Sequence, residues 1–109
     1  MTWEIRYLKE AENDLDSLDN SVRRIVIKGI IKVATNPLPQ ALGGYGKPLG
    51  NVKGVNLTNL LKIKFRDLGI RVVYKIEIKD SVMKVIVVSA RTDEQVYKEA
   101  LKRRNRYDL

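Results

Sequence analysis

The sequence contains no cysteine and no histidine. Without cysteine there is no disulfide framework, no thiolate nucleophile and no cysteine-built zinc site. Without histidine the chain lacks the commonest general base near neutral pH and the commonest metal ligand. Acids are scarce as well, with 13 Asp and Glu against 21 Lys and Arg, a net charge of +8. No run approaches the ~20 apolar residues of a membrane span, and the N-terminus shows no signal-peptide apolar region. The chain is therefore expected in the cytoplasm, with no membrane partner.

What is present is an ordinary globular composition, 44% hydrophobic and 31% charged over 109 residues. That is enough for a single domain, residues 1–109, around one modest core. The charge is uneven. Residues 1–20 hold two basic and six acidic side chains, a net of −4, and residues 21–109 hold nineteen and seven, a net of +12. A basic body behind an acidic first helix points to nucleic acid or an acidic protein as partner. The plainer reading is a solvated surface that happens to be basic.

TWEIRY (2–7) alternates like a short strand, with Trp3, Ile5 and Tyr7 on one face. Over 9–18, Ala11, Leu15 and Leu18 share one face of a helix. A second helix, capped by Asp19 or Asn20, carries the stripe Val22, Ile25, Val26, Gly29, Ile30 and Val33. Gly29 costs stability relative to alanine, so close packing is the expected reason for it. NPLPQALGGYGKPLGNVKG (36–54), with three prolines and five glycines, reads as a loop. Its GGYG run lacks the Lys-Ser/Thr ending and the strand-loop-helix setting of a phosphate-binding loop, so no nucleotide cofactor is expected there.

Strands follow at about 55–66, 70–78 and 82–89, joined by turns at RDLG and KDS. The segment RTDEQVYKEALKRRNR makes a closing helix whose start is set by a Thr92–Gln95 capping box. The expected fold is α+β in the order β-α-α-β-β-β-α: a small antiparallel sheet with an N-terminal helical hairpin and a C-terminal helix.

Alternation places Leu61, Ile63 and Phe65 on one face of the first hairpin strand and Lys62, Lys64 and Arg66 on the other. In the next strand Val72, Tyr74, Ile76 and Ile78 oppose Arg71, Val73, Lys75 and Glu77. A two-residue turn at Asp67-Leu68 pairs Lys64 with Arg71, whereas a bulge at Gly69 turns Lys64 toward Tyr74. The hydrophobic pattern favours the first register. It crowds cations on one face with too few acids among them, and an anionic ligand would supply the missing charge.

The KIKF…GIRVVY hairpin, the VVSAR strand end and the VYKEALKRR helix resemble the RelE-like toxins of bacterial and archaeal toxin–antitoxin modules. The resemblance extends over nearly the whole chain and, more faintly, to the gyrase-inhibiting ParE branch. It implies an active face of Lys62, Lys64, Arg71, Arg91 and Tyr97, the full set arguing against the ParE branch. It also implies a metal-independent ribonuclease that cuts messenger RNA in the ribosomal decoding site, beside ribosomal RNA, and is neutralised by an acidic or amphipathic antitoxin. The glycine-rich 36–59 segment is longer than the family leads one to expect, so contacts made there are not carried over. A binding module that holds nucleic acid without cutting it is the competing class, since phosphate contacts use the same residues either way.

Such a site needs neither metal nor histidine in principle, because RNA brings its own 2′-hydroxyl nucleophile. Lys62 is the candidate base, since Lys64 and Arg71 beside it favour the neutral amine. Arg71 and Arg91 offer planar forks to phosphate oxygens. Tyr97 is expected to stack on a base or orient the scissile nucleotide, against the plainer reading of a helix anchor packing with Leu101. Lys47, Lys53, Arg66 and Lys75 are the expected further RNA contacts.

Overall fold

The computed structural model describes residues 2–52 and 55–109. In chain order the elements are β1 (Glu4–Tyr7), α1 (Lys9–Asp16), α2 (Asn20–Val33), β2 (Lys47–Val52), β3 (Val55–Phe65), β4 (Ile70–Glu77), β5 (Val82–Ser89) and α3 (Asp93–Arg106). The α+β class, the helical hairpin and the closing helix are as expected. The Thr92–Gln95 capping box is formed, with Gln95 N–H donating to the Thr92 hydroxyl. Among the described residues no helix is long and apolar enough to cross a membrane.

The sheet departs from the sequence expectation twice. It has five strands in the order β1-β5-β4-β3-β2, and it is mixed, because β1 runs parallel to β5 while the other neighbours are antiparallel. Alternation in TWEIRY reveals a strand but carries no information about which distant strand it joins. The second departure is β2, which lies inside the segment read as a loop. Pro48 and Gly50 disfavour a strand, yet β2 is the last strand of the sheet, with β3 on one side only, where a residue without an N–H is tolerated.

The glycines of GGYG serve the fit of that segment. A side chain at Gly46 would overlap the Tyr74 hydroxyl and Leu61. The same hydroxyl, fully buried, donates to the Pro37 carbonyl at 2.9 Å and pins the loop to the sheet. Burial raises the Tyr74 pKa well above the ordinary phenol range, so it remains this donor throughout the physiological range.

Both faces of the sheet are covered. On one face Ala11 and Leu15 of α1 and Val26, Ile30 and Val33 of α2 pack against Leu61, Val72, Tyr74, Met83, Val85 and Val88. On the other, Val96, Tyr97 and Ala100 of α3 pack against Leu57, Leu60, Val73, Ile86 and Val87. A bulge in β5 lets the adjacent Ile86 and Val87 both face α3, since Val73 pairs with Val87 and Tyr74 with Val85. Two residues placed by periodicity on the inner faces are not there: Ile25 is 50% exposed, and Ile78, just beyond β4, is 67% exposed.

The second layer is held by charge as well as by apolar contact. Arg103 of α3 is buried and donates to Asp14 of α1 at 2.7 Å, to Glu99 at 2.8 Å and to the Ile86 carbonyl at 2.9 Å. Burial works against its charge, but the bonds to Asp14 and Glu99 outweigh it and the guanidinium pKa rises. Asp14 also accepts the Val88 N–H at 3.0 Å, so one carboxylate ties α1, β5 and α3 together.

Gly29 has the packing role expected of it, with a strand rather than a helix as partner. A methyl group there would overlap the Phe65 ring of β3. Helix propensity alone makes Gly29→Ala stabilising by about 0.5–1 kcal/mol. The overlap reverses that sign, and the substitution is expected to destabilise by about 1–3 kcal/mol. Phe65→Leu in the same chain should recover part of the loss. Equilibrium unfolding of the two variants and their double checks this, and a more stable Gly29→Ala chain contradicts the packing described.

Candidate nucleic-acid site

β3 and β4 pair in the register that the hydrophobic pattern favours, with Lys64 opposite Arg71 and Ile63 opposite Val72. The connection differs from a two-residue turn. Arg66–Leu68 form a short 3-10 turn, and Gly69 closes it in the left-handed region at φ 64°. The glycine that suggested a bulge and the register that excluded one therefore coexist.

Residues opposite one another on paired strands share a face. Lys47 of β2 lies opposite Lys62, and Arg71 of β4 lies between Lys64 and Ser89. The outcome is a cationic row across three strands, about 10 Å at ~4.8 Å per strand, with Ser89 of β5 next to Arg71. It occupies the α3 side of the sheet, near the end of β5 from which Arg91 follows.

Lys62 is half-buried, and its Nζ donates to the Tyr97 hydroxyl at 2.6 Å, about 5.4 Å from the ring centroid. The Tyr97 ring itself is only 6% exposed and belongs to the core under α3, where Leu101 also packs. The anchor reading therefore holds for the ring, and the stacking reading is corrected: a base has no open ring face to meet. What Tyr97 offers the site is its hydroxyl.

Arg71 is steered by two groups of the segment after β5. Its Nη1 donates to the Arg91 carbonyl at 2.8 Å. Its Nε lies against the Asp93 carboxylate as an ion pair, without the alignment of a hydrogen bond. The expectation that these cations lack a matching acid is thus corrected at Arg71. Among the described residues no acid lies within ion-pair distance of Lys62, Lys64 or Arg91. Lys64 and Arg91 are exposed to solvent.

Lys47, Lys62, Lys64 and Arg66 come together along a cleft of about 430 Å³ between β3, the end of α2 and the loop before β2. Arg91 lines a separate cleft of about 360 Å³ with Ser89, Gln95 and Arg103, and only its backbone carbonyl meets Arg71. Lys75 is not brought to these residues, because its Nζ donates to the Leu109 backbone oxygen at 2.6 Å. Lys53 lies outside the described residues.

Three cleft or site residues were not foreseen: Lys32, Tyr45 and Asp93. Asp93 had a signal, an acid in the first turn of a capped helix next to a strand that ends in arginine. Lys32 and Tyr45 had none, since only the folded loop brings them to β3.

The two roles of Tyr97 separate on substitution. Tyr97→Phe should keep the fold and lose only the bond to Lys62, about 0.5–1.5 kcal/mol. Tyr97→Ala should cost about 3–5 kcal/mol through the cavity left under α3. Thermal melts of both variants test the placement, which is wrong if Ala costs no more than Phe.

No protein-family model matches the chain, and no curated protein does. Solved structures do. A mutant of the E. coli toxin RelE in its free state is 27% identical, covering 94% of this chain and 98% of that one at a TM-score of 0.71. The toxin–antitoxin complex RelBE2 of Mycobacterium tuberculosis aligns at 20% identity over 85% and 95% of the two chains, with a TM-score of 0.67. The archaeal RelE–RelB complex of Pyrococcus horikoshii aligns at 22% identity over 85% and 99%, with a TM-score of 0.60. The lower identities speak for the fold alone. The chain is therefore similar to the RelE toxins in fold and over nearly its whole length.

Proposed function

We propose that this chain is a toxin, a ribosome-dependent endoribonuclease that cuts messenger RNA in the decoding site, and that a cognate antitoxin silences it. The observation that carries this reading is the β3–β4 register, which sets Lys62, Lys64 and Arg71 side by side, with the Tyr97 hydroxyl on Lys62 and the Arg91 backbone carbonyl on Arg71. A phosphate in flight gains negative charge on its non-bridging oxygens, and preorganised cations at that place stabilise it.

The roles follow from what each group has free. Lys62, held by Tyr97, is the group that takes the proton of the 2′-hydroxyl. Lys64, exposed and without an acid, meets a non-bridging oxygen. Arg71 has Nη1 and Nε engaged, which aims its remaining Nη2 amino group toward the same phosphate. Arg91 stabilises charge on the leaving oxygen, since a guanidinium that keeps its proton is a poor acid. Attack by the 2′-hydroxyl leaves a 5′-hydroxyl on the downstream fragment and needs no metal-bound water. Alignment of the nucleophile is left to the ribosome, which holds the message in place. An antitoxin that covers this row would need acidic or amphipathic character to match it.

The test is end-mapping of a message on translating ribosomes and of the same message free in solution. Cuts at codon-related positions, on ribosomes only, with 5′-hydroxyl ends, are expected. Lys64→Ala should slow them by roughly a hundred- to a thousandfold without lowering the melting temperature. Products with 5′-phosphate ends contradict the mechanism, and binding of the message without cuts favours a non-catalytic module.

A further inference from the structure

The cleft beside the cationic row has a wall that the roles above do not use. It is lined by Lys32, Lys47, Lys62, Lys64 and Arg66, with no acid among its lining residues. Into it faces Tyr45, 46% exposed, from the loop that precedes β2. The loop is well held: the Tyr45 N–H donates to the Asn36 carbonyl at 3.0 Å, and the next residue, Gly46, abuts the Tyr74 hydroxyl. Lys32 of α2 places its Nζ 5.7 Å from the Tyr45 ring centroid. Gln40, with an amide that both donates and accepts, lines the same cleft.

A half-exposed aromatic ring on a loop held by backbone hydrogen bonds, among cations with no acid beside them in the cleft, is the arrangement by which proteins hold single-stranded nucleic acid. Cations take the phosphates and the ring takes a base face. Tyr97 cannot supply that ring, being buried. We infer that Tyr45 is the base-stacking residue of this toxin: a nucleotide of single-stranded RNA lies in the cleft with its base on Tyr45 and its phosphates on Lys47, Lys64 and Arg66. The inference rests on the RNA reading above. It assigns the glycine-rich loop to substrate positioning.

The experiment measures binding of a labelled 2′-O-methyl oligoribonucleotide, which cannot be cut, and of an abasic oligonucleotide of equal length. Wild type should bind the base-bearing strand more tightly, by roughly five- to a hundredfold. Tyr45→Ala should abolish that preference while leaving the abasic affinity unchanged, and Tyr45→Phe and Tyr45→Trp should retain it. Equal wild-type affinity for both strands overturns the inference, as does an equal loss on both strands in Tyr45→Ala, which would mark the loop as a structural support only. Capture of an acidic peptide in the cleft without any oligonucleotide also overturns it. Ribosome-dependent cleavage measured on the same wild-type preparation separates the cases. If cleavage persists while the base preference is missing, only the assignment of Tyr45 falls.

Discussion

Everything in this molecule hangs on the register of β3 against β4. Side chains alternate with a period of two, so a slip of one residue would carry Lys62 and Lys64 into the layer under α2 and bring Ile63 and Phe65 under α3. Two contacts on the apolar face hold the strands in place. Phe65 rests on the bare backbone of Gly29, and Tyr74, in the same layer, donates its hydroxyl to the Pro37 carbonyl. The apolar packing of one face thereby decides where the cations of the opposite face stand.

Those cations are not simply left to repel each other. Arg71 has Asp93, Lys62 has the Tyr97 hydroxyl, and Lys75 has a backbone oxygen of Leu109. α3 supplies two of these partners, from its first turn and from the middle of its buried side. The helix is in turn clamped to α1 and β5 through Arg103 and Asp14. Helix placement, therefore, is part of the electrostatics of the site: it restrains Lys62 and Arg71, while among the described residues Lys64, Arg66 and Arg91 have no acid partner. A site so arranged concentrates positive potential where an anionic strand can reach it.

Much of this was legible in the sequence because it is local. Alternation located β3, β4 and β5, the capping box located α3, and the choice between two registers followed from keeping Lys62 and Lys64 off the inner face. What was illegible depends on distant partners. β2 was hidden by Pro48 and Gly50, whose breaker character is harmless on an edge strand. The direction of β1 was hidden because its partner β5 lies at the far end of the chain. Tyr97 looked available for stacking because helical spacing alone cannot tell that α3 lies flat on the sheet with this residue beneath it. Tyr45 and Lys32 meet β3 only once the loop is folded.

The central claim is that the ribonuclease activity proposed for this chain depends on the charges on this one face and not on the basicity of the chain as a whole. The most direct measurement is the rate of cleavage of a ribosome-bound message by Lys64→Glu and by Lys79→Glu, two variants of equal net charge. Lys79 lies in the exposed turn after β4, at the opposite end of the strand from Arg71. The expected result is near-wild-type cleavage by Lys79→Glu and none by a folded Lys64→Glu chain, in which the new carboxylate pairs with Arg71. Equal rates for the two variants would contradict the account.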